Sequence, residues 1–81
     1  MSKWDKFREK LMSGQSDRNI DFSELCDFLR RLGFYGRVEG SHFIFLHERV
    51  TEIINLQPMK DGTAKEYQVR QVRKLLKKYN F

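Results

Sequence analysis

Three short β-prone runs, residues 34–38, 42–47 and 51–56, follow one another with almost nothing between them. Glu39-Gly40 makes a tight connection after the first, and Glu48-Arg49-Val50 turns the chain after the second. Parallel neighbours need a crossover of about a dozen residues or more, so connections this short dictate antiparallel hairpins. Gly36, inside the first run, weakens it or marks a bulge.

The flanking segments carry helical periodicity instead. Phe22, Leu25, Cys26, Leu29 and Leu32 recur at three and four, and Phe28 widens that stripe. Asp21 followed by Glu24 is a capping pair that starts the helix near Phe22, and Gly33 is placed to close it. Residues 2–12 form a shorter amphipathic helix with Trp4, Phe7 and Leu11 on one stripe, which Gly14 can end. Such a helix is marginal alone and must pack on something. Residues 13–19 read as a polar loop. Residues 57–65, with Pro58 and Gly62, form another, and residues 66–79 form the last helix, with Val69, Val72, Leu75, Leu76 and Tyr79 inward. The predicted class is α+β, a three-stranded antiparallel sheet with helices on one face. The domain reading is an N-terminal helix and linker over residues 1–19 and a main domain over 20–81.

Charge is distributed unevenly. Residues 1–20 balance to +2, residues 21–57 to −2 and residues 58–81 to +5, the sum being the formal +5 of the chain. The basic residues of the last segment include Lys60, Lys65, Arg70, Arg73, Lys74 and Lys77. A patch of this kind attracts phosphate backbones; a solvated helix face has the same composition. A lone cysteine, Cys26, excludes an internal disulfide and sits on an apolar stripe, where it reads as a small core residue. The charged start Met1-Ser2-Lys3-Trp4-Asp5-Lys6 lacks the apolar core of a signal peptide, and no run approaches the ~20 apolar residues of a membrane span. The expectation is a soluble cytosolic protein.

Chemistry has few candidates. His42 and His47 lie five apart on one strand, so alternation sends them to opposite faces, and they cannot share a metal. No metal or phosphate-loop motif is present, and neither a cofactor nor a metal is expected. RNA requires neither. Its 2′-hydroxyl attacks the adjacent phosphorus once a base removes the proton, and a histidine suits that task near neutral pH. His42 follows Gly40-Ser41, a turn that a phosphate can approach closely. A strand histidine with no task is the competing reading of those residues. His47, beside Glu48 and Arg49, reads as idle.

The run from Phe22 through Leu32-Gly33-Phe34, then Gly40-Ser41-His42-Phe43-Ile44-Phe45, and the closing stretch from Tyr67 to Leu76 together resemble HicA-type toxins of toxin–antitoxin pairs. The resemblance covers residues 20–81. It implies a fold like the double-stranded-RNA-binding domain, α-β-β-β-α, here with an extra N-terminal helix. It also implies messenger RNA cleavage, His42 as the catalytic residue, Gly40 as the turn glycine and a HicB-like antitoxin as partner. Three features depart from the pattern. Phe43 stands where many members carry a second histidine, Asn55-Leu56-Gln57-Pro58-Met59 replaces a Val-Pro-x-His stretch, and the N-terminal extension is longer. The first two leave His42 without a histidine partner, so its activity would be weak, or shared with Lys60, Lys65 or Tyr67.

The expected function is therefore a metal-independent endoribonuclease toxin. Gly40 and Ser41 would shape the phosphate approach, and Lys60, Lys65, Arg70, Arg73, Lys74 and Lys77 would hold RNA. The alternatives are an RNA-binding module without catalysis and a protein-interaction domain. Alternation adds one expectation: if Phe43 and Phe45 face the helices, then His42, Ile44 and Leu46 share the outer face. Two large aliphatics there call for a cover, either the Trp4-Phe7-Leu11 stripe or the antitoxin.

Overall fold

In the computed structural model, which describes residues 2–81, the second helix shows how sequence pattern becomes structure. This helix, α2 (Phe22–Arg31), is capped by Asp21, whose carboxylate accepts from the Glu24 N–H at 2.9 Å. At its other end the Phe34 N–H donates to the Leu29 carbonyl and the Gly33 N–H to the Arg30 carbonyl, both at 3.0 Å. That pairing is a Schellman closure, and it claims Phe34 for the helix end rather than for the first strand. The first helix, α1 (Lys3–Ser13), begins with a reciprocal Ser2–Asp5 capping box.

The strands are β1 (Tyr35–Glu39), β2 (His42–His47) and β3 (Val50–Leu56), antiparallel in the order β1-β2-β3. Val50, assigned to the turn on sequence grounds, is buried and pairs with His47. Leu46 alone separates Phe45 from His47 on β2, whereas Thr51, Glu52 and Ile53 separate their partners Val50 and Ile54 on β3, so the register shifts there. Gly36 marks no bulge. A Cβ there would lie 1.6 Å from the Ile44 carbonyl oxygen, so the close approach of the two strands requires a glycine.

The last helix, α3 (Glu66–Lys78), completes the α+β fold. One core joins Leu25 and Leu29 of α2, Phe45, Ile54 and Leu56 of the sheet, Val69, Val72 and Leu76 of α3, and Phe7 and Leu11 of α1. The opposite sheet face carries Tyr35, Arg37, His42, Thr51, Ile53 and Asn55, all exposed, so no helix covers it. The Trp4-Phe7-Leu11 stripe does not serve as its cover. Trp4 stacks on Phe28 of α2 at 6.2 Å and Phe7 meets the same ring at 5.1 Å, within the helical layer. Alternation itself reads correctly: Phe45 is buried and Phe43 packs edge-on against Phe22, which leaves Ile44 and Leu46 on the outer side.

Two loops are tied down. Residues 57–65 bridge back to the start of α2, with Phe22 N–H donating to the Gly62 carbonyl and Ala64 N–H to Ile20. The polar loop after α1 contains a 3₁₀ turn, Asp17–Asn19, whose Asp17 is buried. No helix among the described residues is long and apolar enough to cross a membrane.

Candidate functional site

Gly40 and Ser41 are the two turn residues of the β1–β2 hairpin, since Glu39 and His42 still pair. Gly40 has φ of 61°, the positive value that a tight hairpin turn of this kind needs in its first position. A Cβ at Gly40 would meet nothing within 4 Å, so space around the turn is open and the glycine is there for backbone conformation.

His42 enters β2 on the outer face, exposed. Its Nδ1 lies 3.0 Å from Oδ1 of Asn55 on β3. An amide oxygen only accepts, so Nδ1 carries the proton and donates. The Nε2 lone pair is then free for solvent or substrate. Glu39 is the cross-strand neighbour of His42, with its carboxylate held by Arg37 at 2.6 Å. Asn55 and Glu39 were not singled out in the sequence. A slip of one residue in either strand pairing would carry Glu39 or Asn55 to the opposite face, so their place beside His42 is set by the register and not by residue type.

A second chain of bonds ties the turn to the last helix. Gln57 Nε2 donates to Ser41 Oγ at 2.9 Å, and Lys65 Nζ donates to Gln57 Oε1 at 2.9 Å. The Gln57 N–H donates to Gln68 Oε1 at 3.0 Å. Lys65, the N-cap residue of α3, is thereby gathered at the end of the molecule that carries the Gly40-Ser41-His42 turn. Tyr67 follows it, half-exposed, and its hydroxyl accepts from Gln68. Lys60 is exposed on the 57–65 loop beside a shallow concavity lined by Pro58, Met59, Asp61 and Lys65.

The basic residues of α3 do not converge on His42. At about 100° per residue, Arg70, Lys74 and Lys77 fall on the arc opposite Val69, Val72 and Leu76. The latter three face the core beneath the sheet, so the cations point away from it. Arg73 is a correction to the sequence reading. Its side chain is largely buried and makes a two-pronged pair with Asp17 at 2.7 and 3.0 Å, and a further bond to the Leu11 carbonyl. Its role is to clamp the 3₁₀ turn and the end of α1 onto α3. The pair lowers the Asp17 pKa and raises that of Arg73, chiefly through the hydrogen bonds between them. Arg70 is paired with Glu66 at 2.8 Å on the surface.

The other reactive side chains have structural surroundings. His47 is half-buried, its ring 4.9 Å from those of Phe34 and Phe81. Its Nδ1 accepts from the Arg49 N–H, and its Nε2 donates to the Leu32 carbonyl at 3.1 Å. Burial pushes the Cys26 thiol up to about 11, which keeps it protonated and unreactive. Among the described residues, no three His, Cys, Asp or Glu side chains gather as metal ligands. No family model matches the chain, and neither a curated protein nor a solved structure matches it.

Proposed function

We propose that this domain acts on RNA through His42, as a metal-independent endoribonuclease of the HicA-toxin kind that cleaves messenger RNA in the cytoplasm. The observation that carries the reading is the orientation of the imidazole. Asn55 holds Nδ1–H, and Nε2 is left free beside an open glycine turn. Nε2 takes the proton from a ribose 2′-hydroxyl, whose oxygen attacks the adjacent phosphorus. The bond from phosphorus to the 5′-oxygen breaks, and that oxygen takes a proton from Lys65 or water. The products are a 2′,3′-cyclic phosphate and a 5′-hydroxyl. The α2-β1-β2-β3-α3 order, with helices on one sheet face, is compatible with a fold like the double-stranded-RNA-binding domain, which supports the same reading.

A HicB-like antitoxin is the proposed partner. The outer sheet face beside His42 offers it an uncovered apolar surface of Tyr35, Ile44, Leu46 and Ile53, and docking there would occlude the imidazole. The second reading is an RNA-binding module without catalysis. It is favoured by the direction of Arg70, Lys74 and Lys77, away from His42. Incubating a generic messenger RNA with the purified protein in chelator separates the two. Cleavage to cyclic-phosphate ends, lost in a folded His42→Ala variant, is expected. Intact RNA with the folded wild-type protein would sink the nuclease reading.

A further inference from the structure

The molecule is two-sided. On the outer sheet face Arg37 and Glu39 neutralise each other, and the remainder is apolar or uncharged around His42. The cations lie on the helical side. Along α3, Tyr67, Arg70, Lys74 and Lys77 succeed one another at i, i+3, i+7 and i+10, on one exposed stripe. They line a shallow concavity together with Gln71 and the clamp residue Arg73. From Arg70 to Lys77 the helix rises about 10.5 Å. A single strand crossing this length presents successive phosphates to its cations. Tyr67, 50% exposed at the end of the stripe, supplies a ring on which a base can stack.

The placement of that aromatic end connects the stripe to the turn. Tyr67 follows Lys65, and Lys65 is joined through Gln57 to Ser41, next to His42. A strand leaving the stripe at Tyr67 therefore passes over the N-terminal end of α3 toward the hairpin turn.

We infer that the Tyr67-Arg70-Lys74-Lys77 stripe of α3 is a second RNA-contact surface, separate from His42, which holds the backbone of a single strand whose continuation reaches the turn. The inference rests on the RNA-directed reading above and extends it to substrate length. A short RNA occupies one surface only, whereas a long one occupies both and gains the affinity of linked contacts.

The test is fluorescence anisotropy with labelled, unstructured RNA of 4 and 20 nucleotides, using the full chain carrying His42→Ala so that the probe survives. The longer RNA is expected to bind at least about 10-fold tighter. Adding Lys74→Glu and Lys77→Glu should weaken its binding about 10-fold or more and reduce the salt slope by about 1.4, or roughly 0.7 per cation. Lys74→Gln with Lys77→Gln should give a smaller loss in the same direction. Reversing Lys3 and Lys6 on α1 is the control for net charge. Unchanged affinity in the α3 variants, as a stripe that serves an acidic protein would give, overturns the inference. So does an equal loss in the α1 control. Failure of the nuclease reading is seen separately: wild-type protein that binds through the stripe but cleaves nothing retains this surface and loses only the catalysis.

Discussion

A single hydrogen bond decides what His42 can do, because it decides which nitrogen is free. Asn55 Oδ1 fixes the proton on Nδ1. Removing that acceptor in Asn55→Ala releases the ring to exchange tautomers. Imidazole ¹⁵N shifts should report Nδ1–H in the wild type and a shift of population toward Nε2–H in the variant. If the site cleaves RNA, kcat should fall about 10-fold with little change in KM, since the residue positions the base and does not touch substrate. An unchanged tautomer would remove Asn55 from this role. Gly36 makes a sharper demand of a different sort. Gly36→Ala drives a methyl group into the Ile44 carbonyl of the neighbouring strand, which can only be relieved by moving backbone. A loss of roughly 2 kcal/mol or more, measured by urea unfolding, is expected. The sequence pointed to His42 and to its turn. It could not point to Asn55 as the partner, because that needs the pairing of β2 with β3, and a slip of one residue would turn Asn55 to the other face of the sheet.

At the scale of elements, the helices and strands were legible because each has its own period and its own punctuation. Asp21 and Gly33 bound α2, and the short connections left the strands no alternative to hairpins. What periodicity could not convey is which arc of α3 meets which neighbour. Arg73 belongs by composition to the basic set, yet it falls on the flank of the buried arc and meets Asp17, a polar residue in a loop with no period at all. Their side chains are only 15% and 10% exposed, so the pair behaves as a buried one. Arg73→Met leaves the Asp17 carboxylate without its partner and should cost about 3 kcal/mol. Replacing both, as Arg73→Met with Asp17→Leu, should recover much of that loss, since two desolvated charges are removed together. Chemical unfolding of the two variants checks the difference; equal losses would mean that the packing of the arginine stem, not the charge pair, holds the 3₁₀ turn.

For the whole molecule, acid is the condition that tests several of these ties at once. Glu52 on β3 accepts from Lys78 and from the Tyr79 hydroxyl, and these bonds bring its pKa down to about 2. Hydrogen bonds from Arg73 lower Asp17, those from Thr63 lower Asp61, and those from Arg18 and Arg70 lower Glu66. Every one of these carboxyls binds its proton more weakly in the folded chain than in the unfolded chain. Their stabilisation is therefore complete above the unfolded values near 4.5 and 3.8, and it is lost as pH falls through the folded values. For Glu52 the window runs from about 4.5 down to about 2. The midpoint of thermal unfolding should accordingly hold steady from pH 7 to pH 5 with respect to these groups, then drop steeply toward pH 2. Glu52→Gln should unfold at a lower temperature than the wild type at pH 7 and converge with it as pH falls through about 2, where the wild-type carboxyl takes up its proton. Salt separates the ties further. The Glu52–Lys78 pair is exposed, so its contribution should shrink in about 1 M salt, whereas the Asp17–Arg73 clamp, screened far less, should persist. A Glu52→Gln protein whose deficit is the same at pH 2 as at pH 7 would show that this residue joins sheet to helix through shape alone and not through its charge.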